Sequence, residues 1–211
     1  LFVAPSGGGK TTLSLNLSML YKEYFLLSDN FVLINKTHVI PFVQPVNLFS
    51  YNITSFIRQS LNLREKVFLD LKIMLYNLTQ GYLKSFLQID PSKVTKVKQS
   101  GILDTILLIM QMPKKTDPQI IEIDKDLALK SMLYNQKLEF SVLDEIIQHI
   151  NLAEFDEDNW LKIIRDFWSI YIDTLKSYLQ QTSKYYILFT PIPISRWLPE
   201  IKRLLDRVMS T

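Results

Sequence analysis

The chain has 211 residues, 47% of them hydrophobic and 21% charged, with a net charge of +3. That composition supplies a packed core with a helical layer and lies far from a disordered profile. With no cysteine and only two histidines, His38 and His149, it excludes disulfides and thiol nucleophiles and argues against a metal centre built from thiolates or imidazoles. Basic runs such as KVTKVK are too short for a nucleic-acid track, and no apolar run approaches the roughly 20 residues of a membrane helix. A soluble cytoplasmic protein with neither nucleic acid nor membrane as partner is expected.

In chain order, residues 1–4 predict the end of a strand, with further residues expected upstream of Leu1. Residues 11–21 predict a helix on which Leu13, Leu17 and Leu20 share one face. Short β-rich runs predict strands near 24–28, 31–35 and 38–43, the last two as a hairpin, after which Pro41 and Pro45 turn the chain toward an edge or loop. Residues 53–89 carry helical spacing in Phe56, Leu61, Val67, Leu71, Leu75 and Leu78, and Asp90-Pro91 ends that region. The apolar run 102–112 predicts one buried strand, 120–123 a short strand and 124–135 a helix. A long helical stretch follows over 141–181, broken near 151–159, then a strong strand at 185–190 and a closing amphipathic helix at 199–209. Strands alternating with helices predict an α/β fold, a mixed sheet in a single domain over 1–211 with helical insertions at 53–90 and 141–181.

Glycine is scarce in this chain, five residues in all, yet Gly7, Gly8 and Gly9 are consecutive and stand directly before Lys10, Thr11 and Thr12. The stretch Ala4-Pro5-Ser6-Gly7-Gly8-Gly9-Lys10-Thr11 follows the phosphate-loop pattern G-x-x-x-x-G-K-[ST], with Ala4 in the first glycine's place. Consecutive glycines let backbone N–H groups converge on phosphate oxygens, and the helix that follows adds its positive end. Lys10 brings a full charge to the outer phosphates and the Thr11 hydroxyl is a Mg²⁺ ligand. Such a loop needs an acidic partner for the metal. Asp29, interrupting the apolar run FLLSDNFVLI, is the candidate, with a simple turn between strands as the alternative. Arg196 and Lys202 read as a solvated helix face, His149 as an ordinary helix residue, and the acids of EFDEDNW as a helix start.

The pair of segments APSGGGKTTLSLNL and YFLLSDNFVLI, with the short interval between Lys10 and Asp29, resembles the C-terminal domain of HPr kinase/phosphorylase. It resembles more closely the HPr-kinase-like proteins found beside peptide-modification genes, relatives of phosphoenolpyruvate carboxykinase. Over residues 1–46 the likeness is specific. ILDTILLIMQM, IIEIDKDLALKSML and YYILFTPIPISRWLPEI are similar to later blocks in pattern only, and the helical regions have no counterpart.

The resemblance implies that ATP phosphates bind Pro5, Ser6, Gly7, Gly8, Gly9, Lys10, Thr11 and Thr12, that Thr11 and Asp29 hold Mg²⁺, and that Lys10 and Asp29 are catalytic. The family's second acid falls on Asn30, an amide, and the E-[IV]-R-G segment of true HPr kinases has no visible counterpart. Two functions are therefore open. One is an ATP- and Mg²⁺-dependent kinase acting on a hydroxyl of a peptide, protein or small molecule. The other is a catalytically weak nucleotide-binding module that works through a protein partner. Association with further copies of the chain is open in either case.

Overall fold

The computed structural model describes residues 1–5, 7–29, 32–35, 38–41, 44–49, 53–80, 86–112, 116–139, 157–182 and 184–210. Its elements run β1 (Phe2–Val3), α1 (Lys10–Leu20), β2 (Val32–Asn35), β3 (His38–Pro41), β4 (Val46–Phe49), α2 (Ser55–Ser60) and α3 (Leu63–Leu78). They continue with β5 (Phe86–Ile89), β6 (Gly101–Ile102), β7 (Thr105–Met112), β8 (Gln119–Glu122), α4 (Lys125–Glu139), α5 (Glu157–Leu179), β9 (Lys184–Pro191) and α6 (Leu198–Met209).

The fold is mixed α/β around an open mixed sheet. In that sheet β1, β7 and β9 are parallel and β8 pairs antiparallel with β9, in the order β1-β7-β9-β8. Both faces of its central strands are apolar, as strands between two layers must be. Leu107 and Ile109 of β7 and Tyr186 and Leu188 of β9 meet Leu13 and Leu17 of α1 and Ile201 and Leu205 of α6. The alternate residues Ile106, Leu108 and Tyr185 meet Ala128 of α4 and Leu175 and Leu179 of α5. Helix α1 also serves a second core. Leu15 packs with Val46, Leu48, Leu87 and Ile89 of the antiparallel β4–β5 pair and with Ile57, Leu61 and Leu69 of the helices between them. A third sheet, antiparallel, has the order β2-β3-β6.

The structure departs from the sequence-based expectations in four places. Residues 24–28 form no strand; Leu26 alone bridges Val97, taking a 2.9 Å hydrogen bond from Lys98 N–H and giving one to Lys96. The helical region does not reach residue 89: α3 ends at Leu78, and 86–89 is β5, whose Phe86, Leu87 and Ile89 pair with Phe49, Leu48 and Val46. Strand β4, unexpected after Pro45, is the partner that draws β5 into extended form. The run 102–112 is not one strand either, for Gly101–Ile102 pairs with β3 and the main-sheet strand starts at Thr105. Of the long helical stretch, 157–179 is α5, while 141–156 and residues 31, 42 and 43 lie outside the described residues.

Helix boundaries follow local chemistry. Asn62 and Glu65 form a reciprocal capping box at the start of α3, with bonds of 2.9 and 3.0 Å. The Asp124 carboxylate accepts from Leu127 N–H at 2.7 Å at the start of α4. Among the described residues no helix is long and apolar enough to cross a membrane.

Candidate functional site

The glycine-rich segment joins β1 to α1 at the C-terminal edge of the parallel strands, where open α/β sheets receive ligands. Gly7 and Gly9 take φ of +76° and +87°, the left-handed region that side chains with a Cβ resist. Gly8 N–H closes a turn onto the Pro5 carbonyl at 2.9 Å. A Cβ on Gly8 would stand 2.7 Å from the Ala4 methyl, and one on Gly9 would collide with the Ile194 side chain. Gly9 is the N-cap of α1, and no side chain caps the helix there. The positive end of the α1 dipole is directed at this loop, the place where an anion is most favoured.

Lys10 crosses this loop. Its Nζ donates to the Ala4 carbonyl and, at 3.4 Å, to that of Pro5. These contacts pin the ammonium on the two residues that open the loop, close to the free end of α1. Thr11 follows, and its hydroxyl stands close enough to the Asp29 carboxylate to favour the charged form. Asp29 is carried on a segment fixed by Leu26 in the second core and Leu27 against the third, so the carboxylate is delivered to the loop by packing rather than by strand pairing. Burial pushes the Asp29 carboxyl above the ordinary Asp range, and the Thr11 hydroxyl and the Lys10 charge partly offset that. Its Oδ1 is buried with no hydrogen-bond partner.

An orphaned, buried carboxylate oxygen beside a threonine hydroxyl fits a divalent cation, which would supply the missing partner. Among the described residues no group of three or more His, Asp or Glu side chains could hold a metal. The fit is therefore to Mg²⁺, which takes one or two protein oxygens and completes its shell with phosphate and water.

Pro5, Gly7, Gly8, Gly9, Lys10, Thr11, Thr12 and Asp29 line one cleft of about 720 Å³. Ser6 and Asn30 lie outside the described residues. Thr12 is buried, and its carbonyl accepts from the amide of the fully buried Asn16 at 2.6 Å. Asn16 in turn accepts from the Thr54 hydroxyl at 2.7 Å, tying α1 to the start of α2.

Gln111 was not singled out from the sequence. It ends β7, the strand beside β1, and its amide donates to the Gly7 carbonyl at 3.2 Å, holding the left-handed residue from outside the loop. The signal was available: a polar residue closing an apolar run at the carboxyl end of a buried strand. Residues set aside in the sequence stay out of the site. Lys202 pairs with Glu23 at 2.8 Å and with Asp206 at 2.5 Å, Arg196 is exposed on a short 3-10 turn, and His38 is exposed on β3. His149 and residues 154–156 lie outside the described residues.

No protein-family model, curated protein or solved structure matches this chain.

Proposed function

We propose that this chain binds a nucleoside triphosphate, ATP, with Mg²⁺ at the Gly7–Thr12 loop and transfers a phosphoryl group to a hydroxyl, as the likeness to HPr-kinase-like proteins implies. One observation carries the reading. Lys10 is held across a loop with two left-handed glycines at the start of a helix, and Thr11 stands beside the half-buried Asp29, whose Oδ1 is buried without a partner. In this reading loop amides and Lys10 neutralise the outer phosphates, and Thr11 and Asp29 hold the metal that polarises them. The acceptor oxygen bonds to the terminal phosphorus as its bond to the bridging oxygen breaks, the electron pair leaving on the diphosphate. Among the described residues that line the cleft, Asp29 is the carboxylate that would take the hydroxyl proton.

The alternative, a catalytically weak nucleotide-binding module acting through a protein, draws on a different observation. Leu63, Val67, Leu71, Met74 and Leu78 form an exposed apolar stripe along α3, Leu63 and Leu78 being 78% and 71% exposed. Radiolabelled ATP incubated with the wild type, Asp29→Asn and Asn30→Asp separates the two. The kinase reading expects transfer by the wild type and none by Asp29→Asn. Transfer seen only in Asn30→Asp, a gain of about 10²- to 10⁴-fold from a restored proton acceptor, favours the binding module. Wild-type transfer that survives loss of Asp29 overturns the assignment of this site.

A further inference from the structure

We infer that the arm of the cleft beyond Asp29 is the acceptor subsite, and that it takes a neutral, hydroxyl-bearing molecule with an apolar body rather than a phosphorylated or acidic one. The inference rests on the phosphate-loop reading and adds the substrate class. In that reading Lys10 would serve the outer phosphates and Thr11 and Asp29 would hold the metal that accompanies them, so the terminal phosphate would lie toward the Asp29 end of the loop. The cleft continues from there along Val32, Leu33 and Ile34 and on to Phe49 and the facing sides of α4 and α5. A hydroxyl approaching the terminal phosphate comes from this side.

The chemistry of that arm is uniform. Among the described residues that line the cleft, Lys10 and Asp29 are the charged side chains, and both stand in the phosphate corner. Elsewhere the described walls carry no charged side chain: they are aliphatic and aromatic, with Asn47 and Thr174 as neutral polar groups among them. Phe167 and Tyr171 are stacked with centroids 6.3 Å apart and planes at 19°. The Tyr178 hydroxyl donates to the Ile34 carbonyl at 2.7 Å, which fastens α5 to β2. Asn135 and Gln136 add neutral amides at the far rim. A phosphate or carboxylate on the acceptor would lose its water here and meet no cationic side chain among the described residues of the arm, a penalty that a neutral apolar body does not incur.

The test uses the full chain with Mg²⁺ and a non-hydrolysable ATP analogue, and saturation-transfer NMR titrations of 2-phenylethanol and of glycerol 3-phosphate. We expect 2-phenylethanol to bind at least about tenfold more tightly than glycerol 3-phosphate. Thr174 and Leu33, both exposed and both lining the arm, are changed in turn to Thr174→Arg and Leu33→Arg. Each should weaken the neutral probe by about tenfold or more while calorimetry finds analogue affinity within about twofold of wild type. Equal binding of the two probes, or probe binding indifferent to both substitutions, overturns the acceptor assignment alone. Loss of analogue affinity in Thr174→Arg gives the arm to the nucleobase and also overturns it. No analogue binding by the wild type brings down the phosphate-loop reading itself, and the acceptor assignment with it.

Discussion

At Gly9 a single backbone angle decides whether the loop can exist. A φ of +87° places any L side chain in the left-handed region, and the Ile194 side chain fills the space a methyl would need. Gly9→Ala should therefore cost about 1–2 kcal/mol of stability from the backbone alone, measured as a shift in the urea midpoint. Asp29 makes the opposite case, a residue whose burial costs the fold stability. Its carboxyl is raised above the ordinary value of 3.8 by burial, so at neutral pH the folded state carries a charge it would prefer to lose. The sign follows: this cost is present above the raised pKa, shrinks as pH falls through the window between it and 3.8, and is gone below 3.8. Asp29→Asn should accordingly raise the Tm of the metal-free chain at pH 7, with the gain vanishing in strong acid, as differential scanning calorimetry can follow. Mg²⁺-dependent nucleotide binding should weaken on acidification at a higher pH than an exposed aspartate would dictate.

Both residues were legible before folding, because three glycines before a lysine and a polar break in an apolar run are local signals. Gln111 offered only the polar break near the end of its apolar run; its partner follows from β7 lying beside β1, a pairing between residues more than 100 positions apart.

Helix α3 shows what spacing alone leaves undecided among the elements. Val67, Leu71, Leu75 and Leu78 recur at helical intervals and would ordinarily be read as the buried face. In the folded chain they point outward, and Leu69, 1% exposed, is the residue of α3 that enters the core. Leu69→Ala should cost about 2–5 kcal/mol, whereas Leu71→Ala should stay within about 0.5 kcal/mol, a contrast that chemical denaturation resolves. The same ambiguity hid β5. Phe86, Leu87 and Ile89 continue an apolar pattern compatible with either period, and only pairing with β4 selects the extended form. Proline at 45 had masked β4 in turn, although the strand begins immediately after it, at Val46. β4 and β5, whose form each takes from the other, depart from the expectation, whereas α1, α4, β8, β9 and α6 lie within a few residues of it.

Across the whole molecule, two of the three cores meet at α1. Leu13 and Leu17 anchor it to the main sheet and Leu15 to the β4–β5 layer, while Asn16 fixes it to α2 through Thr54. No residue of the helix that presents its N-terminus to the cleft is exposed, which gives the loop a rigid base. The general α/β class followed from the alternation of patterns along the chain, but the strand order β1-β7-β9-β8 could not, since it sets the first strand against one that follows about a hundred residues later.

The central claim is that this base holds phosphate through Lys10. Isothermal titration of ATP with Mg²⁺ into the wild type and into Lys10→Ala tests it most directly. Removing a charge-assisted contact worth roughly 1.5–3 kcal/mol should weaken binding by about ten- to a hundredfold. Unchanged ATP affinity in Lys10→Ala would contradict the account.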